Sequence, residues 1–156
     1  MIDVEIPGWG RLQLEHLVLD YNGTLAVDGN CCEGVRERLT SLATDLQVHI
    51  ITADTFGRVA AEMADVPCRV TVLPAQNQDA GKLAYVNKLG ARRTVSMGNG
   101  RNDRLMLEAS ALGVALILDE GACMRTLLAA DVVCTSAADA LDLLSHPLRL
   151  TATLRS

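Results

Sequence analysis

Apolar runs rich in β-branched residues alternate along the chain with stretches whose apolar positions recur every three or four residues. Residues 2–6 alternate apolar and polar, Pro7-Gly8-Trp9-Gly10 is turn-forming, and 11–19 resumes as a strand, which predicts an opening hairpin. In 32–46, Val35, Leu39, Leu42 and Leu46 fall at helical spacing. Residues 48–52 suit a short buried strand, 55–64 a helix closed near Pro67, and 69–73 a strand. Residues 79–89 predict a helix, with Gly90 in the usual stop position. Strands over 94–97, 114–118 and 132–134 alternate with helices over 103–111, 121–130 and 137–144, the last stopping before Pro147. Residues 148–154 alternate weakly and read as a tail strand.

Strands alternating with helices predict βαβ units and a mostly parallel sheet, an α/β fold. Sheets of that kind bind ligands in the crevice beyond the carboxyl ends of their strands, so functional residues are expected just after strands. No repeat, linker or low-complexity segment interrupts the pattern, and 1–156 is expected to be a single domain.

Composition narrows the function classes. Of 156 residues 49% are hydrophobic, yet there are only one Trp, one Phe and two Tyr, so the core must be aliphatic. A net charge of -5 argues against non-specific binding to nucleic acid or an anionic membrane, while leaving room for a local basic pocket. The five cysteines are odd in number and form no C-x-x-C pair, and zinc-ligand spacing with His16, His49 or His146 is absent. Reduced thiols in a cytoplasmic protein are the plain expectation, with the vicinal Cys31 and Cys32 serving as small packing residues. The first residues lack the basic and apolar regions of a signal peptide, and the longest apolar stretch, 111–118, is too short to span a bilayer.

Four clusters could carry chemistry. Leu17-Val18-Leu19-Asp20-Tyr21-Asn22-Gly23-Thr24 is an apolar strand ending in an acid, followed by a turn. A carboxylate fixed there can attack phosphorus, and Gly23 allows backbone N–H groups to face a phosphate. An ordinary hairpin turn would look the same. Thr52-Ala53-Asp54 offers a hydroxyl for a phosphate oxygen, or merely a helix cap by Thr52, Asp54 or Thr55. Lys82 could neutralise a phosphoryl group or be a solvated surface residue, as Lys88 on the same helix is expected to be. Gly98-Asn99-Gly100-Arg101-Asn102-Asp103 supplies oxygen donors suited to Mg2+, or a polar loop with Asp103 near a helix start.

The order and spacing of the four clusters resemble the motifs of the haloacid dehalogenase (HAD) superfamily, over about 17–133. The Gly-x-Gly-x-Asn-Asp loop and Thr52-Ala53-Asp54 are most similar to the phosphorylation domain of P-type ATPases and its soluble relatives. The resemblance implies a HAD-like doubly wound, Rossmann-like sheet and Mg2+-dependent phosphoryl transfer. It implies Asp20 as nucleophile and metal ligand, the Asn22 carbonyl as a second ligand, and Thr52 and Lys82 as binders of the transferring group. Gly23 and Ala53 would lie against the phosphate, and Asn99 and Asp103 would complete or support the Mg2+ site.

Two positions depart from the phosphatase pattern of that superfamily. Asn22 stands where an Asp would protonate the leaving group and activate water, which implies slow turnover or a preference for good leaving groups. Asn99 stands where Asp would ligate the metal, which implies weaker Mg2+ binding that Asp103 could offset. The intervals 21–51 and 53–81 are too short for a pump's nucleotide-binding domain or a large cap, so a capless site open to water is expected, or one covered by another subunit of a homo-oligomer. The expected ligand is a phosphorylated small molecule or phosphoprotein, with no nucleic acid and no membrane insertion. The competing reading is a non-catalytic or regulatory module that binds a phosphorylated ligand or a protein partner.

Overall fold

The computed structural model describes residues 1–54 and 57–156. In chain order its elements are β1 (Ile2–Ile6), β2 (Gly10–Leu14), β3 (His16–Asp20), β4 (Ala26–Val27), β5 (Asn30–Cys31), α1 (Val35–Leu42), β6 (Gln47–Thr52), α2 (Arg58–Glu62), β7 (Cys68–Val72) and α3 (Gln78–Leu89). After these come β8 (Thr94–Gly98), α4 (Arg104–Ala109), β9 (Leu112–Leu116), α5 (Met124–Ala129), β10 (Val132–Cys134), α6 (Ala137–Ser145) and α7 (Pro147–Leu154).

Six strands form one parallel sheet in the order β10-β9-β8-β3-β6-β7. The chain therefore starts in the middle, winds outward through β6 and β7, then returns to the other side of β3 and winds outward again. The central strands are buried on both faces, which is why 17–19, 94–98 and 112–116 read as continuous apolar or small-residue runs. Side chains still alternate between the faces: Leu17, Leu19 and Ile50 join the larger core with α1 and α6, whereas Val18, Ile51 and Ala115 pack with Val86 of α3 and with Met106 and Leu107 of α4.

The opening hairpin is present, with β1 antiparallel to β2 and Ile2 opposite Leu14. The strand expected over 11–19 is two strands. The chain changes sheets at Glu15, whose N–H donates to the Arg93 carbonyl at 2.8 Å and whose carbonyl accepts from Gln47 N–H at 2.8 Å. The helix expected from Cys32 begins at Val35, because Cys31 is taken up in the small β4–β5 ribbon. That ribbon turns at Asp28 and Gly29, both with positive φ (52° and 79°).

The tail strand expected over 148–154 is instead the helix α7. Pro147 at its first turn fixes a helical φ, and Leu150 and Leu154, one turn apart, both lie against the core. The weak alternation fitted both periods, and burial selected the helical one. Of the helix expected over 55–64, 58–62 is helical, while Thr55 and Phe56, including the proposed cap at Thr55, lie outside the described residues. Among the described residues no helix is long and apolar enough to cross a membrane.

Towards the opposite end of the sheet from Asp20, His16 Nδ1 lies 3.3 Å from His49 Nε2, and His49 Nδ1 lies 3.0 Å from the Tyr85 hydroxyl. Burial, then the neighbouring His16 and Arg69, pushes the His49 imidazole down to about 4. The unfolded chain takes up this proton near the ordinary histidine value, the folded protein only near 4. Stability is therefore lost as pH falls through that window, by about 2–3 kcal/mol from His49 alone. Urea unfolding of wild type and His49→Gln at pH 7, 5 and 4 isolates this contribution from the opposing one of the raised Asp20 carboxyl; wild type is expected to lose more stability on acidification than the variant, and the same pH dependence in both would contradict the assignment.

Candidate active site

The winding reverses between β3 and β8, and in sheets of this kind ligands bind beyond the carboxyl ends of the strands at such a point. Asp20 closes β3 at that point. Lys82 faces it from α3, one turn before Val86 on the same inner face of the helix. Val86 lies among aliphatic neighbours, but Lys82, nearer the strand ends, meets charge. Its Nζ donates to Asp20 Oδ1 and to Asp103 Oδ1, both at 2.6 Å. Burial alone would lower the pKa of this fully buried ammonium, but Asp20 and then Asp103 outweigh it and raise the value, so the lysine is charged.

Asp103 is itself completely buried. Its second oxygen accepts the backbone N–H groups of Asn99 (2.9 Å) and Gly100 (2.8 Å), which shapes the loop after β8 around it. Gly98 is required by the same packing, since a Cβ there would lie 2.5 Å from Asp103 Cβ. The Asn99 side chain extends toward β3. The Thr24 hydroxyl lies 3.3 Å from both Asp20 Oδ2 and Asn99 Oδ1, so its one hydrogen is shared between them. Thr52 ends β6 one residue beyond Ile51, the partner of Asp20, and its Oγ accepts the Asp54 N–H at 3.1 Å.

Two carboxylates thus share one ammonium. Burial, then the charge of Asp103, raises the Asp20 carboxyl to about 7 against the opposing pull of Lys82. Two carboxylates against one ammonium leave an excess of negative charge, and the side-chain oxygens of Asp20, Thr24 and Asn99 suit a hard divalent cation. Among the described residues no group of three or more His, Cys, Asp or Glu side chains could hold a metal. A hard cation at such a place takes one or two carboxylates and completes its shell with water and phosphate oxygens.

Of the residues expected from sequence, the structure joins Asp20, Lys82, Asp103 and Asn99 in one bonded cluster and sets Thr52 on the adjoining strand end. Lys88 is exposed, as expected of a surface residue. Gly23 makes the turn with a positive φ of 77°, and its own N–H donates to the Ala26 carbonyl at 2.8 Å. Asn22 and Ala53 line a cavity of about 270 Å³ together with Tyr21, Gly29, Asp54 and Arg58. Thr24 was not given a role from sequence, although its place four residues after Asp20 across a glycine turn was a usable signal. The interval 53–77 holds only α2 and β7 among the described residues, so no further layer covers Asp20 from that segment.

The fold is HAD-like, similar to that of solved proteins of the HAD superfamily. A putative subfamily III A hydrolase of that superfamily from Legionella pneumophila superposes with a TM-score of 0.71 at 17% identity, over 90% of this chain and 87% of that one. The 3-deoxy-D-manno-octulosonate 8-phosphate phosphatase of Moraxella catarrhalis, solved in complex with magnesium ion, phosphate ion and KDO, superposes with a TM-score of 0.70 at 14% identity, over 91% and 94%. By sequence, the chain is 45% identical over 64 residues to the uncharacterized protein MJ0073 of Methanocaldococcus jannaschii, covering 41% of this chain and 69% of that protein. The chain belongs to the same family as this archaeal protein. No family model matches it.

Replacing Lys82 would leave Asp20 and Asp103 buried without their shared cation. Lys82→Met is expected to cost about 3–5 kcal/mol of stability at neutral pH, read by urea unfolding. A loss below about 1 kcal/mol, the range of a surface pair, would show that the buried triad contributes little.

Proposed function

We propose that the protein is a divalent-cation-dependent phosphatase acting through an aspartyl-phosphate on Asp20. One observation carries the reading. The Asp20 carboxylate keeps 13% of its surface open at the end of β3, while a fully buried Lys82 stands 2.6 Å behind it. A buried, cation-backed carboxylate with one open edge is a poised nucleophile.

A carboxylate oxygen of Asp20 attacks the phosphorus, and the bond to the leaving oxygen breaks with its electron pair. The Lys82 ammonium behind Asp20 offsets the charge that develops, and the Thr52 hydroxyl at the adjoining strand end donates to a transferring oxygen. Water then attacks the phosphorus and releases phosphate and the free carboxylate. Mg2+ would be held by Asp20 and the Asn22 carbonyl, with Asn99 beside them, and would supply neutralisation of the phosphoryl charge. Asp103, with both oxygens occupied, supports Lys82 and the loop. The substrate class is a phosphorylated small molecule or phosphoprotein. The magnesium and phosphate of the Moraxella complex support the reading by likeness of fold.

Asn22 stands exposed at the mouth of the site, and an amide gives no proton to a leaving group at neutral pH. Good leaving groups are therefore favoured. The same observation supports a second reading, a module that binds a phosphorylated ligand or protein partner and hydrolyses little.

Hydrolysis of acetyl phosphate and p-nitrophenyl phosphate, with and without Mg2+, separates the two. Wild type should show Mg2+-dependent turnover that Asp20→Asn lowers by about a hundredfold or more. Turnover undiminished in Asp20→Asn would sink the nucleophile assignment, and none in wild type would favour the binding module. Asn22→Asp should raise the rate on an alkyl phosphate by about tenfold or more while changing acetyl phosphate little. An equal effect on both substrates would remove leaving-group protonation as the deficit.

A further inference from the structure

The Asn99 side chain is held at both ends of its amide. Its Nδ2 donates to the Gly121 carbonyl at 3.0 Å, and its Oδ1 faces the Thr24 hydroxyl at 3.3 Å. Its backbone N–H donates to Asp103 and its carbonyl accepts from Cys123 N–H at 2.8 Å. Gly23 approaches so closely that a Cβ there would lie 2.3 Å from Asn99 Nδ2. A peptide carbonyl has no hydrogen to give, so the side chain at 99 must donate toward Gly121. A carboxylate there would set two oxygens against each other in a place 9% exposed. Asn99 is thus an amide by construction, and Gly121 also fixes which way it faces: oxygen toward the Thr24 hydroxyl that it shares with Asp20.

The charge available to a cation follows. Asp103 has one oxygen on Lys82 and the other on two N–H groups, so it offers no open edge. Asp20 is the one carboxylate of the cluster with exposed surface, and Asn99 adds a neutral oxygen.

We infer that cation binding and phosphate binding at this site depend on one another, and that Asn99, held by Gly121, enforces the dependence. The inference rests on Asp20 being the phosphoryl-accepting carboxylate. A hard ion offered one open carboxylate and neutral oxygens is held weakly until phosphate oxygens join its shell. A phosphate dianion entering beside two carboxylates and one lysine is repelled until a cation offsets it. Each ligand then raises the affinity of the other by the same factor. A second open carboxylate at position 99 would hold the ion alone and erode the coupling.

Calorimetric titration of Mg2+ into the full chain, with and without saturating inorganic phosphate, tests this on wild type and on Asn99→Asp. Phosphate should tighten Mg2+ binding to wild type by about tenfold or more, and to Asn99→Asp by less than about threefold, with tighter binding of Mg2+ alone in the variant. Metal-free Asn99→Asp should also melt about 5 °C below wild type, with Mg2+ restoring most of the loss. Equal Mg2+ affinity of wild type with and without phosphate would overturn the inference whatever the variant does. So would an Asn99→Asp protein unchanged in both Mg2+ affinity and melting temperature. If Asp20- and Mg2+-dependent hydrolysis is found while this coupling is absent, the phosphatase reading stands and the inference alone falls. Full hydrolysis by Asp20→Asn would identify failure of the underlying reading instead.

Discussion

The buried ion cluster of Lys82 with Asp20 and Asp103 is the constraint to which the rest of the site conforms. An ammonium with no access to solvent is tolerable only with its partners in place, and both stand at 2.6 Å. Each partner brings a different part of the fold. Asp20 brings the end of the central strand, Asp103 the loop after the neighbouring strand, and Lys82 the helix that covers one face. The double acceptance by the second oxygen of Asp103 then shapes the Asn99–Gly100 turn, and Gly98 is small because that turn closes upon it.

The same cluster joins the two halves of the winding. β6 and β7 lie on one side of β3, and β8, β9 and β10 on the other. Hydrophobic burial holds the sheet together without choosing a geometry for polar groups at its edge. Hydrogen bonds of fixed direction do so at the carboxyl end, while the His16–His49–Tyr85 chain lies toward the other.

Much of this was legible in the sequence. Asp20 could be read as the last residue of an apolar run, and Lys82 shares a helical face with Val86, so period and strand ends pointed at both. Asp103 stood out less, because an acid near a helix start has ordinary reasons to be there, and its burial comes from a helix far away in sequence. The anchoring of Asn99 was invisible, since its partner is a backbone carbonyl and any residue at 121 would supply one. The β4–β5 ribbon carried a local signal in Asp28-Gly29, overlooked because the flanking strands are only two residues long. The terminal helix was missed for the opposite reason: its pattern was present but fitted two periods, and only packing decided between them.

The partners of Lys82 lie 62 and 21 residues away along the chain. Contacts of that range demand loop closure before they return any stabilisation, so they belong to the late part of folding. A chain that has formed its helices and paired β3 with β6 alone still lacks Asp103, because the loop bearing it follows β8. Asp20 therefore has its cationic neighbour and the brace behind it together only when both wings of the sheet have closed on the central strand. The completed ion cluster is in this sense a late reporter of folding, absent from partly assembled forms however much secondary structure they hold.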